Sequence, residues 1–249
     1  MLDTLIEACV DSVESATQAQ AGGARRVELC AALSEGGTTP SLGTIALARE
    51  RLGVGLFVLI RPRGGDFRYS PEEYETMVRD VTVARDAGAD GIVLGALTPD
   101  GQVDRDGVRR LLDAAGPLPV TFHRAFDASR DLDEALDVLL GLGVQRVLTS
   151  GGEATALEGI PALTRLVRRA AGRLGILAGG GIDESNARQI VRETGVREIH
   201  LRGTRPRLST MKHRNARLIL GKPVVADDGT RLVTDAGRVR AVVNLLAET

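Results

Sequence analysis

Ala87-Gly-Ala-Asp-Gly-Ile-Val-Leu94 contains the unit from which the whole chain is built. A glycine follows the end of a helix, a short polar link comes next, and a β-branched strand begins. The same order recurs in Ala21-Gly-Gly-Ala-Arg-Arg-Val-Glu-Leu29, Leu142-Gly-Val-Gln-Arg-Val-Leu148 and Thr194-Gly-Val-Arg-Glu-Ile-His-Leu201. A glycine just past a helix adopts left-handed backbone and lets the last carbonyls be capped. Short links are normal between a helix and the next strand of a βα unit. Strands starting near Val54, Pro119 and Arg173 interleave with these four, and Thr4 to Val10 precedes them. That makes eight strands, each but the last followed closely by a helix. Strict alternation implies parallel strands and right-handed crossovers. Eight units in 249 residues is the size of one closed (β/α)8 barrel. A doubly wound sheet is the alternative, but no G-x-G-x-x-G follows any strand.

Composition narrows the function classes. Hydrophobic residues make up 43% of the chain and aromatics only 2%, so the core is aliphatic. A net charge of −1 does not suggest nucleic acid or an anionic membrane as partner. Met1-Leu-Asp-Thr-Leu-Ile-Glu7 lacks the basic and apolar regions of an export signal. No apolar run approaches the roughly 18 residues of a membrane span. With two cysteines and no export signal, a cytoplasmic protein carrying free thiols is expected. Local signals agree with the barrel: Asp11 with Glu14 makes a capping-box pattern, and Ser70-Pro71-Glu-Glu73 opens a helix.

In a (β/α)8 barrel, ligands bind at the C-terminal ends of the strands. Polar residues gather at those ends here. Glu7 and Cys9 close strand 1, and Glu28 and Cys30 close strand 2. Arg61 closes strand 3, His123 and Arg124 strand 5, and His200 and Arg202 strand 8. Asp127 follows strand 5. Residues two apart on a strand share a face, so the two Glu-x-Cys pairs should lie side by side if both face the lumen. Two thiolates on adjacent strands suit a soft ion such as Cu(I). Both cysteines could equally be small buried hydrophobes. Glu7 and Glu28 near Arg61 and Arg124 would make a buried charge cluster, either structural or an acid/base site with His123 as proton carrier. Because successive side chains point to opposite faces, either His123 or Arg124 faces the lumen. Gly179, Gly180 and Gly181 followed by Asp183 form a candidate phosphate loop, with His200 and Arg202 on the next strand, or else a simple tight turn.

After strand 8 the pattern changes. Arg202, Arg205, Arg207, Lys212, Arg214, Arg217 and Lys222 occur with no acid between 202 and 226. This is a basic loop insertion, read as a solvated face, an anion clamp or an oligomer contact. A hairpin around Asp227-Asp-Gly229 within 224–233 is expected, then a last helix from Asp235 to Ala247. The expected organisation is one domain over 1–249, with 202–230 an extended loop and hairpin.

Six ordered motifs resemble the CutC family: Glu7-Ala-Cys-Val-Asp-Ser-Val-Glu-Ser15, Glu35-Gly-Gly-Thr-Thr-Pro40, Ile60-Arg-Pro-Arg-Gly-Gly-Asp-Phe67, Thr121-Phe-His-Arg-Ala-Phe-Asp127, Leu148-Thr-Ser-Gly-Gly152 and Ala178-Gly-Gly-Gly-Ile182. The resemblance runs from residue 4 to about 217, and the family is linked by name to copper homeostasis. It implies a TIM-like barrel, cytoplasmic and often oligomeric, with Cys9 and Cys30 as copper ligands. In that family small residues tend to follow the strand 8 histidine, whereas Leu201 and Arg202 stand here. The resulting expectation is a homo-oligomeric copper-binding protein. The alternative is a barrel enzyme acting on a small anionic or phosphorylated metabolite, with Glu7, Glu28, Arg61, His123, Arg124 and Asp127 as its candidate site residues.

Overall fold

The computed structural model describes residues 4–213, 215, 217 and 229–247. Eight parallel strands close into one barrel: β1 (Leu5–Val10), β2 (Arg26–Leu29), β3 (Gly55–Leu59), β4 (Gly91–Leu94), β5 (Val120–Phe122), β6 (Arg146–Thr149), β7 (Gly175–Gly179) and β8 (Glu198–Leu201). β8 pairs with β1 and leaves no edge. The helices between them are α1 (Val13–Ala21), α2 (Leu42–Arg51), α3 (Pro71–Asp86), α4 (Arg105–Ala115), α5 (Leu132–Leu142), α6 (Ile160–Ala170) and α7 (Ala187–Thr194). This is the TIM-like (β/α)8 fold, and none of its described helices is long and apolar enough to cross a membrane.

The strands are buried on both faces, and the period of two sorts their side chains into two cores. Ile6, Ala8, Val27, Leu29, Leu56, Val58, Ile92, Leu94, Val147 and Ile199 pack outward against the helices. The alternate positions fill the lumen, and this set is strongly polar. Arg26 on β2 and Arg146 on β6 lie over the ring of Phe57 at 4.9 and 5.4 Å. Both donate to Glu198 Oε2 on β8, at 2.5 and 2.6 Å. Gly91 leaves the space that this ring occupies, since a Cβ there would lie 2.3 Å from Phe57.

Helix starts follow ordinary capping physics. The cap of α1 is Ser12, whose Oγ accepts from Ser15 N at 3.1 Å, one residue beyond the Asp11 that the sequence suggested. Ser70 and Glu73 form a full capping box on α3: Ser70 Oγ accepts from Glu73 N, and Glu73 Oε2 accepts from Ser70 N. Ser70→Ala is expected to cost about 1 kcal/mol, read as a fall of roughly 2–4 °C in melting temperature.

After β8 the chain forms β9 (Thr204–Leu208) and β10 (Thr230–Thr234), an antiparallel pair, and ends in α8 (Ala236–Ala247). The partner of Thr230–Val233 is 205–208, and the 224–228 part of the expected hairpin lies outside the described residues. Lys222 and Asp227 lie outside the described residues. The hairpin stands beside the barrel on α1, where Thr234 N donates to Ser15 Oγ.

Candidate functional site

A cavity of about 890 Å³ opens at the C-terminal ends of the strands. Its floor carries Cys9, Cys30, Glu28 and His200, and Arg61, Phe67 and His123 line it from β3, β5 and the loop after β3. Closure of the barrel explains the floor. Glu7 has Arg26 as its register partner on β2 and His200 as its partner on β8. All three side chains face the lumen, so the carboxylate is clamped from both sides. Arg26 Nε donates to Glu7 Oε2, and His200 Nδ1 lies 2.7 Å from Oε1. One level higher, Cys9 is the register partner of Glu28, and Cys30 reaches over from the end of β2. The two Sγ atoms are 3.8 Å apart. His200 Nε2 lies 3.5 Å from Glu28 Oε2.

These contacts set the charges. Burial opposes ionisation of Glu7, but Arg26 and then His200 outweigh it and hold its pKa down at about 2. Burial likewise opposes a charge on His200, yet Cys9, Glu7 and Glu28 together push it well above the usual imidazole range. The Cys30 hydrogen bond lowers Cys9 well below an ordinary thiol, with His200 adding to the effect. The same bond raises Cys30, as does burial, so Cys9 is the more acidic of the two thiols. Glu28 is pushed well above the carboxylate range by burial and then by the Cys9 charge. Two thiol groups and a carboxyl group thus meet at one point. Cys9 Sγ, Cys30 Sγ and a Glu28 oxygen all lie within 4.8 Å of one another, and so do ligand atoms of Glu7, Glu28 and His200.

His123 and Arg124 both line the cavity, and of the two only His123 is buried. His123 is buried, its Nδ1 accepts from Ala125 N at 3.1 Å, and Gly95 supplies the room for its ring. Burial, then the nearby Arg61 charge, lower its pKa to about 3, so the ring is neutral at pH 7. Arg124 turns to the loop after β6, where Nε meets Asp127 Oδ2 at 2.7 Å and Nη2 donates to Ser150 Oγ at 2.7 Å. Asp127 accepts from Thr149 Oγ1, Ser150 N and Gly152 N, and so fixes that loop. Asp127 also lines the cavity. Arg61 ties the loops after β2 and β3 together through the carbonyls of Glu35, Gly37 and Gly65.

The glycine set divides. Gly180 and Gly181 line the cavity with φ of +108° and +70°. Gly179 lies below it, where a Cβ would meet Leu148 at 2.5 Å and His200 at 3.2 Å. His200 sits among acids in the floor, and the exposed Arg202 reaches Leu33 O at 3.4 Å. Gly180, Gly181, His200 and Arg202 all line the one cavity, with Gly179 beneath them. Glu7 is beneath the cavity floor, paired with Arg26 and His200 in place of the expected Arg61 and Arg124.

Residues 4–205 match the model of the CutC family. The chain belongs to the CutC family. It is 48% identical over 238 residues to a human protein called copper homeostasis protein cutC homolog, covering 96% of this chain and 87% of that one. It is 48% identical over 250 residues to a CutC family protein of Bacteroides fragilis, covering all of both. The crystal structure of a CutC protein from Streptococcus agalactiae superposes with a TM-score of 0.76 at 37% identity, over 80% of this chain and 98% of that one. Arg26, Arg146 and Glu198 are the CutC lumen residues that strand ends do not reveal. The signal for Arg26 was its place two residues before Glu28, on the same strand face.

Proposed function

We propose that this CutC chain binds Cu(I) through Cys9 and Cys30, with Glu28 as the adjoining oxygen donor, and serves copper homeostasis. The 3.8 Å separation of two buried sulfurs on adjacent strands supports this reading above everything else. Thiolates are soft donors of the kind that select Cu(I). His200, held by Glu7, sits beside the donors as the outer-shell partner that orients a metal site. Such a site needs reduced cysteines, and a reducing compartment such as the cytoplasm supports them. We also assign the protein a homo-oligomeric state, to be read from its mass in solution.

Binding should release protons, because burial and the Cys9 contact raise Cys30 and Glu28 and ligands must be deprotonated. Titration of the reduced chain with Cu(I) against a competing chelator should give one ion per chain. The affinity should rise with pH, and calorimetry in buffers of different ionisation heat should register proton release. Weak binding that is independent of pH would remove the thiol pair from consideration.

A further inference from the structure

Arg61 is buried without a counter-charge. It is 5% exposed. Nη1 donates to Glu35 O and Gly37 O, and Nη2 to Gly65 O, each at 2.8 Å. These partners are carbonyls, and among the described residues no carboxylate forms an ion pair with it. Among the described residues its Nε has no hydrogen-bond partner. The lumen shows how this protein otherwise buries arginine: Arg26 and Arg146 share Glu198. Buried charges are ordinarily paired, since solvation lost has to be replaced.

A second orphan lies on the same wall. His123 is also 5% exposed. Its Nδ1 accepts from Ala125 N, so the ring proton is on Nε2, and among the described residues Nε2 has no partner. Buried donors almost always find an acceptor, and exceptions call for one. Both side chains line the 890 Å³ cavity, which is far larger than a metal ion requires. Neither belongs to the thiol floor.

We propose that the upper cavity binds a small organic anion, whose oxygens supply the missing counter-charge to Arg61 and the missing acceptor to His123 Nε2. A carboxylate and a phosphate monoester share this chemistry. Either would sit above Cys9 and Cys30, so the floor and the anion site are separate features of one pocket.

The test is calorimetric titration of the copper-free chain with inorganic phosphate, glycerol 3-phosphate and malonate. Arg61 also ties three loop carbonyls, so the diagnostic variant is His123→Asn, which keeps an acceptor for Ala125 N and removes the Nε2 donor. At least one probe should bind saturably to the wild type, and His123→Asn should weaken it about tenfold or more. The Cys9→Ser, Cys30→Ser double variant should bind the same probe as well as the wild type does, which separates this site from the copper reading. Preference for malonate or for glycerol 3-phosphate assigns the carboxylate or the phosphate class. Failure of all three probes to bind the wild type, or equal binding by His123→Asn, would overturn the proposal.

Discussion

Serine at both Cys9 and Cys30 should weaken Cu(I) binding by more than the roughly 10–100-fold that changes to the outer shell of a metal site cost. The substitution exchanges two soft sulfurs for hard oxygens while nearly preserving volume, so the loss is in donor chemistry. Cys9→Ser alone removes the more acidic of the two sulfurs, and Cys30→Ser removes the sulfur that it contacts. Each single change should therefore weaken binding, and a competition titration resolves the order. The competing view treats both cysteines as packing, since they are 6% and 2% exposed among Phe57, Leu59 and Val93. That view predicts a loss of stability, about 1–3 kcal/mol for a buried hydroxyl lacking a partner, with copper affinity untouched.

The largest expected effect on stability comes from Glu7. Its carboxylate is buried and meets both Arg26 and His200. Glu7→Ala removes the charge and leaves two cations in the lumen, with Glu198 left to balance Arg26. Removing one partner of a buried ion pair costs about 3–5 kcal/mol. The pKa gives a consistent magnitude: a fall from an ordinary 4.5 to about 2 corresponds to about 3 kcal/mol. Because the folded-state value is depressed, this stability is present above about pH 4.5 and is lost as pH falls toward 2. Urea unfolding should show wild type far above Glu7→Gln at pH 7, with the gap narrowing below pH 5. A gap of constant size across that range would mean that shape, and not charge, sets the cost.

The barrel was legible because its evidence is local. A glycine at a helix end, a short link and a β-branched run can be counted without knowing what pairs with what. The mouth was legible for a related reason, since Cys9, Cys30, His123 and His200 all fall at or near strand ends. What stayed hidden depends on closure and stagger. Strands in a barrel are offset along their axes, so the two Glu-x-Cys pairs do not meet level. Glu28 lies beside Cys9, and Glu7 lies beside Arg26 one level down. His200 reaches Glu7 only because β8, 193 residues away, returns to β1. The ladder from Arg26 through Glu198 to Arg146 crosses the lumen between strands that are not neighbours, and no spacing along the chain encodes it. The choice between His123 and Arg124 also needed the structure: alternation says that they face apart, and only the barrel says which one is buried. The pairing of β10 with β9 joins residues more than 20 positions apart, where a nearer turn signal at Asp227-Asp-Gly229 suggested a local hairpin.

X-ray absorption at the copper edge of the reduced, Cu(I)-loaded chain examines the central assignment at the atoms themselves. Two sulfur neighbours per copper are expected in the wild type, one in Cys9→Ser, and none in the double variant. A wild-type copper surrounded only by nitrogen and oxygen, or the same spectrum from the double variant, would contradict it.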